Sequence, residues 1–180
     1  IGSGFATQNS RCQLALYPGA IIDLGGRAAD AEAGEDLTST ALTVNTWYHI
    51  VGVNDYTGDD QYIYINGALN TTRVATFAAT TSATNSRNSA IGAQDDSSTG
   101  YMRGHIHDWR LYNRALSADE ILTMYNSRGY DDIVYGLQAR FILSESNTGT
   151  IAPIDYSITD LTPTVGSTPN YTVDSVLMIA

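Results

Sequence analysis

Between two runs of β-branched and aromatic residues, Gln61-Tyr62-Ile63-Tyr64-Ile65 and Ala68 to Thr76, stands the dipeptide Asn66-Gly67. A two-residue hairpin turn that matches the natural twist of its strands needs φ > 0 at both central positions, which Asn-Gly supplies. A hairpin here sets the character of the neighbouring chain. Trp47 to Asn54 reads as a central strand before it, and Tyr101 to Tyr112 as a later one. Arg11 to Tyr17 places Cys12, Leu14 and Leu16 on one face of a half-buried strand. Pro18-Gly19 turns that strand into a second, Ala20 to Leu24. Ser89 to Ala93 reads as a short buried strand, and Ile133-Val134-Tyr135, Leu137 to Leu143 and Ile154 to Leu161 as later ones. Gly25 to Thr40 is small and acidic and reads as a surface loop.

Two local features interrupt the alternation. Ile106 and Trp109 have opposite parity, so a β-bulge near His107-Asp108 is needed to bring both to the core. Ser117-Ala118-Asp119-Glu120 is a capping box, followed by an apolar stripe of Ile121, Leu122 and Tyr125. One short helix after the last core strand is expected, ending near Arg128-Gly129. The fold class is all-β, an antiparallel β-sandwich with that single helix. Residues 1–129 are expected to form the sandwich and 130–180 a C-terminal extension.

Charge narrows the function. The 180 residues carry 19 Asp and Glu against nine basic residues, all Arg, for a net charge of −10. Such a surface repels nucleic acid and anionic lipid. No run approaches the roughly 18 apolar residues of a membrane span. The chain opens on Ile1 without a basic start and apolar middle, so it reads as processed or as part of a longer protein. The lone cysteine, Cys12, cannot form an intrachain disulfide and reads as a small buried apolar side chain.

Three blocks carry a resemblance: Trp47 to Val53, Tyr62 to Gly67 with Ile91-Gly92-Ala93, and Gly104 to Ile121. In order and spacing, over residues 44–125, they resemble the laminin-G-like, concanavalin-A-like family. The resemblance implies a jelly roll of two curved antiparallel sheets. The family often has an acidic residue directly after the isoleucine that here is Ile106. This chain has His107, with Asp108 one place later, so no metal role is carried over there. Gly136 to Glu145 looks like the opening strand of such a domain. With Gly166 to Tyr171 it is similar to C-terminal extensions of phage and marine viral structural proteins. Either the sandwich is permuted and this segment completes it, or the segment pairs with a neighbouring subunit.

A glycosidase on this fold needs two carboxylates about 5–9 Å apart across a cleft. The only glutamates are Glu32, Glu35, Glu120 and Glu145, and none stands in a paired acidic run on one strand. No enzyme is expected. His105 and His107 share a face only if their strand is regular, and read as solvent-facing; His49 reads as packed. The candidate calcium ligands are Asp59 and Asp60 in one loop and Asp95 and Asp96 in another. The candidate ligand-binding aromatics are Tyr56 and Tyr101, which flank those loops. The expectation is a non-enzymatic structural or adhesion module on a virion surface: a capsid decoration, fibre or tail-associated protein. Its partners are other virion proteins, copies of itself, or host glycan. The alternative is a secreted, extracellular calcium-dependent carbohydrate-binding domain of a cellular organism.

Overall fold

The computed structural model describes residues 12–27, 34–77, 91–92, 102–143 and 175–179. β1 (Cys12–Tyr17), β2 (Ile21–Gly26) and β3 (Glu35–Thr38) form a three-stranded antiparallel sheet in that order. The second sheet has six strands: β4 (His49–Asp55), β5 (Asp60–Ile65), β6 (Ala68–Val74), β7 (His107–Tyr112), β8 (Leu137–Phe141) and β9 (Ser175–Ile179). Their spatial order is β6-β5-β4-β9-β7-β8, and every pairing is antiparallel. The single helix among the described residues, α1 (Ala118–Ser127), follows β7. This is the expected antiparallel sandwich with one short helix.

β4 explains how the layers stack. Ile50 joins Ile63, Leu111 and Ala139 against Leu14, Ile22, Leu24 and Leu37 of the smaller sheet. Gly52 lies on that same face. A Cβ there would sit 2.8 Å from Leu24 and 2.9 Å from Leu14, so the two sheets approach closely at this point. Val51 and Val53 face the other way and pack with Tyr64 and Tyr112 under Leu116, Ile121, Met124 and Leu137. A strand covered on both faces needs the near-continuous apolar run Ile50-Val51-Gly52-Val53. At one end of the inter-sheet core, Asn54 Nδ2 donates to the Gly25 carbonyl at 3.2 Å, and Gln61 Nε2 donates to Asn54 Oδ1 at 2.9 Å. These bonds tie the layers together, while Gln61 Oε1 has no partner among the described residues.

Local chemistry sets the turns. Asn66 (φ 53°) and Gly67 (φ 77°) form the β5–β6 turn between paired Ile65 and Ala68. Ser117 caps α1 in a complete capping box, and Arg128 closes it in the left-handed conformation. A bulge does lie at His107-Asp108: Asp108 has φ 53°, and the β7–β9 register shifts between His107 and Arg110. Its effect differs from the expectation. Ile106 precedes the strand and is half-buried, while the bulge turns Asp108 into the interior.

Other elements depart from the sequence reading. Glu35-Asp36-Leu37-Thr38 is a strand rather than loop; β2 supplies its pairing, and Arg73 holds its edge through the Glu35 carboxylate and the Asp36 carbonyl. β4 begins at His49, leaving Trp47 outside the core. Leu16 is exposed although its pairing partner Ile22 is buried. The buried helix positions are Ile121 and Met124; Leu122 and Tyr125 lie over Gly67 with substantial exposure. Residues 133–135 form no strand, and Ile91-Gly92 is a bend. The expected Ile154–Leu161 strand lies outside the described residues.

Candidate functional site

The β4–β5 loop and the end of β6 build one rim. Asp55 Oδ1 accepts from the backbone N–H groups of Thr57 (3.1 Å) and Gly58 (2.9 Å), folding the loop over its own carboxylate. Asp59 (φ 57°) accepts from Ala75 N–H at its carbonyl (2.7 Å) and from Phe77 N–H at Oδ1 (3.3 Å). Asp60 Oδ2 accepts from the Tyr62 hydroxyl at 2.9 Å, the largest reason that phenol's pKa is raised. Tyr56 makes a tilted ring contact with Phe77 (centroids 4.6 Å, 56°) beside Ala75 in a small apolar cluster.

The structure therefore brings Tyr56, Asp59 and Asp60 together, with the ring half-buried and both carboxylates shaping the loop. Calcium takes six to eight oxygens. Among the described residues no group of three or more His, Cys, Asp or Glu side chains is placed to hold a metal. Tyr101, Asp95 and Asp96 lie outside the described residues.

At the opposite end of β4 the chain exposes what the sequence reading placed inside. Thr43 N–H donates to the Tyr48 hydroxyl at 3.0 Å, and Tyr48 packs against the inter-sheet core. Hydrogen bonding with Thr43 is the largest cause of that phenol's lowered pKa. With Tyr48 turned inward, Trp47 stands 59 % exposed. Its ring stacks on exposed His105, centroids 6.3 Å apart and planes 29° apart. The result is a surface platform of two flat rings. Asn45 (φ 58°), in the turn before Trp47, was the available sequence signal that the strand had not yet begun. His105 lies outside β7, so His105 and His107 do not share a strand face.

A third group sits beneath the end of α1. Asp108 accepts from Arg110 (Nε 3.0 Å, Nη2 2.7 Å) and from Arg140 (Nε 2.8 Å, Nη2 3.0 Å). Arg110 Nη1 donates to Asp131 at 2.6 Å, and Arg140 Nη2 to the Gly129 carbonyl at 2.7 Å. Burial alone would raise Asp108 and Asp131, but the arginine hydrogen bonds and charges outweigh it and hold both below the usual carboxylate range. Beside them His49 is 5 % exposed, its ring 5.8 Å from that of Tyr125, and neither ring nitrogen has a hydrogen-bond partner. Burial first, then the Arg110 charge, pulls it down to about 4. It is packed, as its sequence context implies, and neutral at pH 7.

The outer face of the smaller sheet holds a different group. Asp23 is 3 % exposed and Gln13 7 %, and Asp23 Oδ2 and Gln13 Nε2 have no partner among the described residues. Burial, then the charge of Asp36, raises Asp23 to about 6.

Comparisons with known proteins add the following. A laminin-G-type model of the concanavalin A-like lectin/glucanases superfamily matches residues 6–122. No curated protein matches the chain. Among solved structures, it is similar to residues 221–444 of an S-layer domain-containing protein from Clostridium thermocellum. The identity is 28 %, covering 68 % of this chain and 59 % of that one, with a TM-score of 0.36. The chain thus spans less than two thirds of that structure's length.

Proposed function

Because the chain belongs to the concanavalin A-like lectin/glucanases superfamily, we propose that it is a non-catalytic carbohydrate-binding or adhesion module, displayed at a surface outside the cell. The observation that carries this reading is the Trp47–His105 platform. A large aromatic face left in water offers apolar contact to the C–H face of a sugar, while its edge remains open to polar groups. The carboxylates support a binding role over a hydrolytic one. Glu35 is paired with Arg73, Glu120 with Arg114, and Asp108 and Asp131 with arginines. The arginines hold Glu120, Asp108 and Asp131 below the usual carboxylate range, so these three are poorly suited to donate a proton to a leaving group.

The finer reading places the module on a virion, as a capsid decoration, fibre or tail-associated protein. Its support is the similarity of residues 136–145 and 166–171 to C-terminal extensions of viral structural proteins. A calcium-dependent secreted domain is the second reading, favoured by Asp59 and Asp60 on the β4–β5 rim.

A glycan array with the intact chain, run with and without chelator, tests both. Trp47→Ala is expected to weaken glycan retention about tenfold, equivalent to ~1.4 kcal/mol, with unchanged thermal unfolding. Full retention by that variant removes the platform from the reading. Loss of binding on chelation alone, restored by calcium, moves the site to the aspartate rim.

A further inference from the structure

Of the described strands, β9 comes last in sequence yet lies centrally in its sheet. It pairs with β4 from His49↔Ile179 to Val53↔Ser175, and with β7 from His107↔Ile179 to Tyr112↔Ser175. Removing it in thought leaves a slot bounded by β6-β5-β4 on one side and β7-β8 on the other. Packing among other residues bridges that slot on both faces. Ile50 of β4 and Leu111 of β7 share one cluster with Leu14 and Leu24. Val51 and Val53 of β4 and Tyr112 of β7 share another with Ile121 and Met124 of α1. Side chains as well as β9 therefore join the two walls, and the backbone groups that line the gap pair with β9. Buried N–H and C=O groups of this kind demand a partner strand.

The connection is far longer than the slot requires. β8 and β9 are both antiparallel to β7, so they run parallel to each other on its two sides. A crossover between parallel strands needs about a dozen residues. Thirty-three residues, 142–174, join β8 to β9. A segment of that length can reach about 100 Å when extended. It also includes Pro153, Pro163 and Pro169, which cannot donate to a sheet ladder. Excess tether length lowers the effective concentration of a strand at its own slot. Ser175-Val176-Leu177-Met178-Ile179 is uncharged, and such a segment pairs readily with any open strand edge.

We propose that the slot between β4 and β7 is a strand-acceptor site that takes residues 175–179 of a second copy of this chain as well as its own. Exchange would link copies through the middle of their sheets, in the register already described and without a new interface. The inference is independent of the glycan reading.

Full-length chains carrying Cys12→Ser provide the test. One copy carries His107→Cys and the other Ile179→Cys, positions that face each other across β7 and β9. Refolded together at increasing concentration, the pair is expected to form an interchain disulfide whose yield rises with concentration. The doubly substituted chain, refolded dilute, is expected to form the bond within itself. An intrachain bond with no interchain product at any concentration overturns the proposal. A second variant lacks residues 146–170, leaving a connector shorter than a crossover needs. It is expected to sediment as a folded dimer, and a monomeric or unfolded product overturns the proposal.

Discussion

Among the described residues, two of the groups of polar side chains removed from water meet that condition in opposite ways. Below α1, Asp108, Arg110, Asp131 and Arg140 pair completely, with Gly129 contributing a carbonyl. On the outer face of the smaller sheet, Asp23 and Gln13 are equally buried, yet one oxygen and one nitrogen have no partner. Paired charges remain ionised, and removing one member strands the rest. An unpaired carboxyl instead keeps its proton, and here it does so to about pH 6. The first group is a scaffold that fixes β7, β8 and the end of the helix. The second is a site whose charge state follows pH.

The most severe way to break this contrast is Arg110→Met. It leaves Asp108 and Asp131 buried without their shared partner and is expected to cost about 3–5 kcal/mol in urea unfolding. Asp23→Asn, measured beside it at pH 7, is expected to gain stability rather than lose it. Equal losses would mean that the two groups do not differ.

Titration sharpens the comparison next. Asp23 is raised from 3.8 to about 6. Its folded form therefore holds a proton that the unfolded chain has released. That stability is fully present below pH 4 and is lost as pH rises through about 6, an effect of up to about 3 kcal/mol. Asp23→Asn should thus gain on the parent between pH 4 and 6 and keep the gain above. His49, lowered from 6.5 to about 4, has the opposite sign. Its stability is present above pH 6.5 and is lost as pH falls towards 4, again by up to about 3 kcal/mol. His49→Phe should flatten that acid limb. Denaturant midpoints across pH 3–8 check both slopes. Unchanged slopes in either variant would assign the pH dependence to other groups.

The smallest expected effect is at the helix start. Ser117→Ala removes the hydroxyl that accepts from Glu120 N–H at 3.3 Å and should cost about 1 kcal/mol. Thermal unfolding by circular dichroism would show it as a shift of a few degrees. A loss as large as that from Arg110→Met would show that the cap, rather than the ion cluster, secures this layer.

What was legible in the sequence was local. Asn66-Gly67 specified its turn through backbone conformation alone, and Ser117 with Glu120 specified the cap through side-chain reach. The parity conflict between Ile106 and Trp109 located the bulge, because a strand has only two faces. The candidate site was less legible. Trp47 looks like core in an aromatic run, and only the inward turn of Tyr48 and the position of His105 expose it. Asp23 looks solvent-facing by alternation, yet it is 3 % exposed. The placement of β9 between β4 and β7 is equally non-local, since strand order joins segments more than sixty residues apart.

That placement has a consequence for synthesis. As the chain leaves the ribosome, β4, β5, β6, α1 and β8 can all emerge before the centre of their sheet exists. β4 and β7 must wait with open flanks until residues 175–179 have emerged, so translation speed and chaperone access over that interval decide whether the molecule closes on itself or on a neighbour.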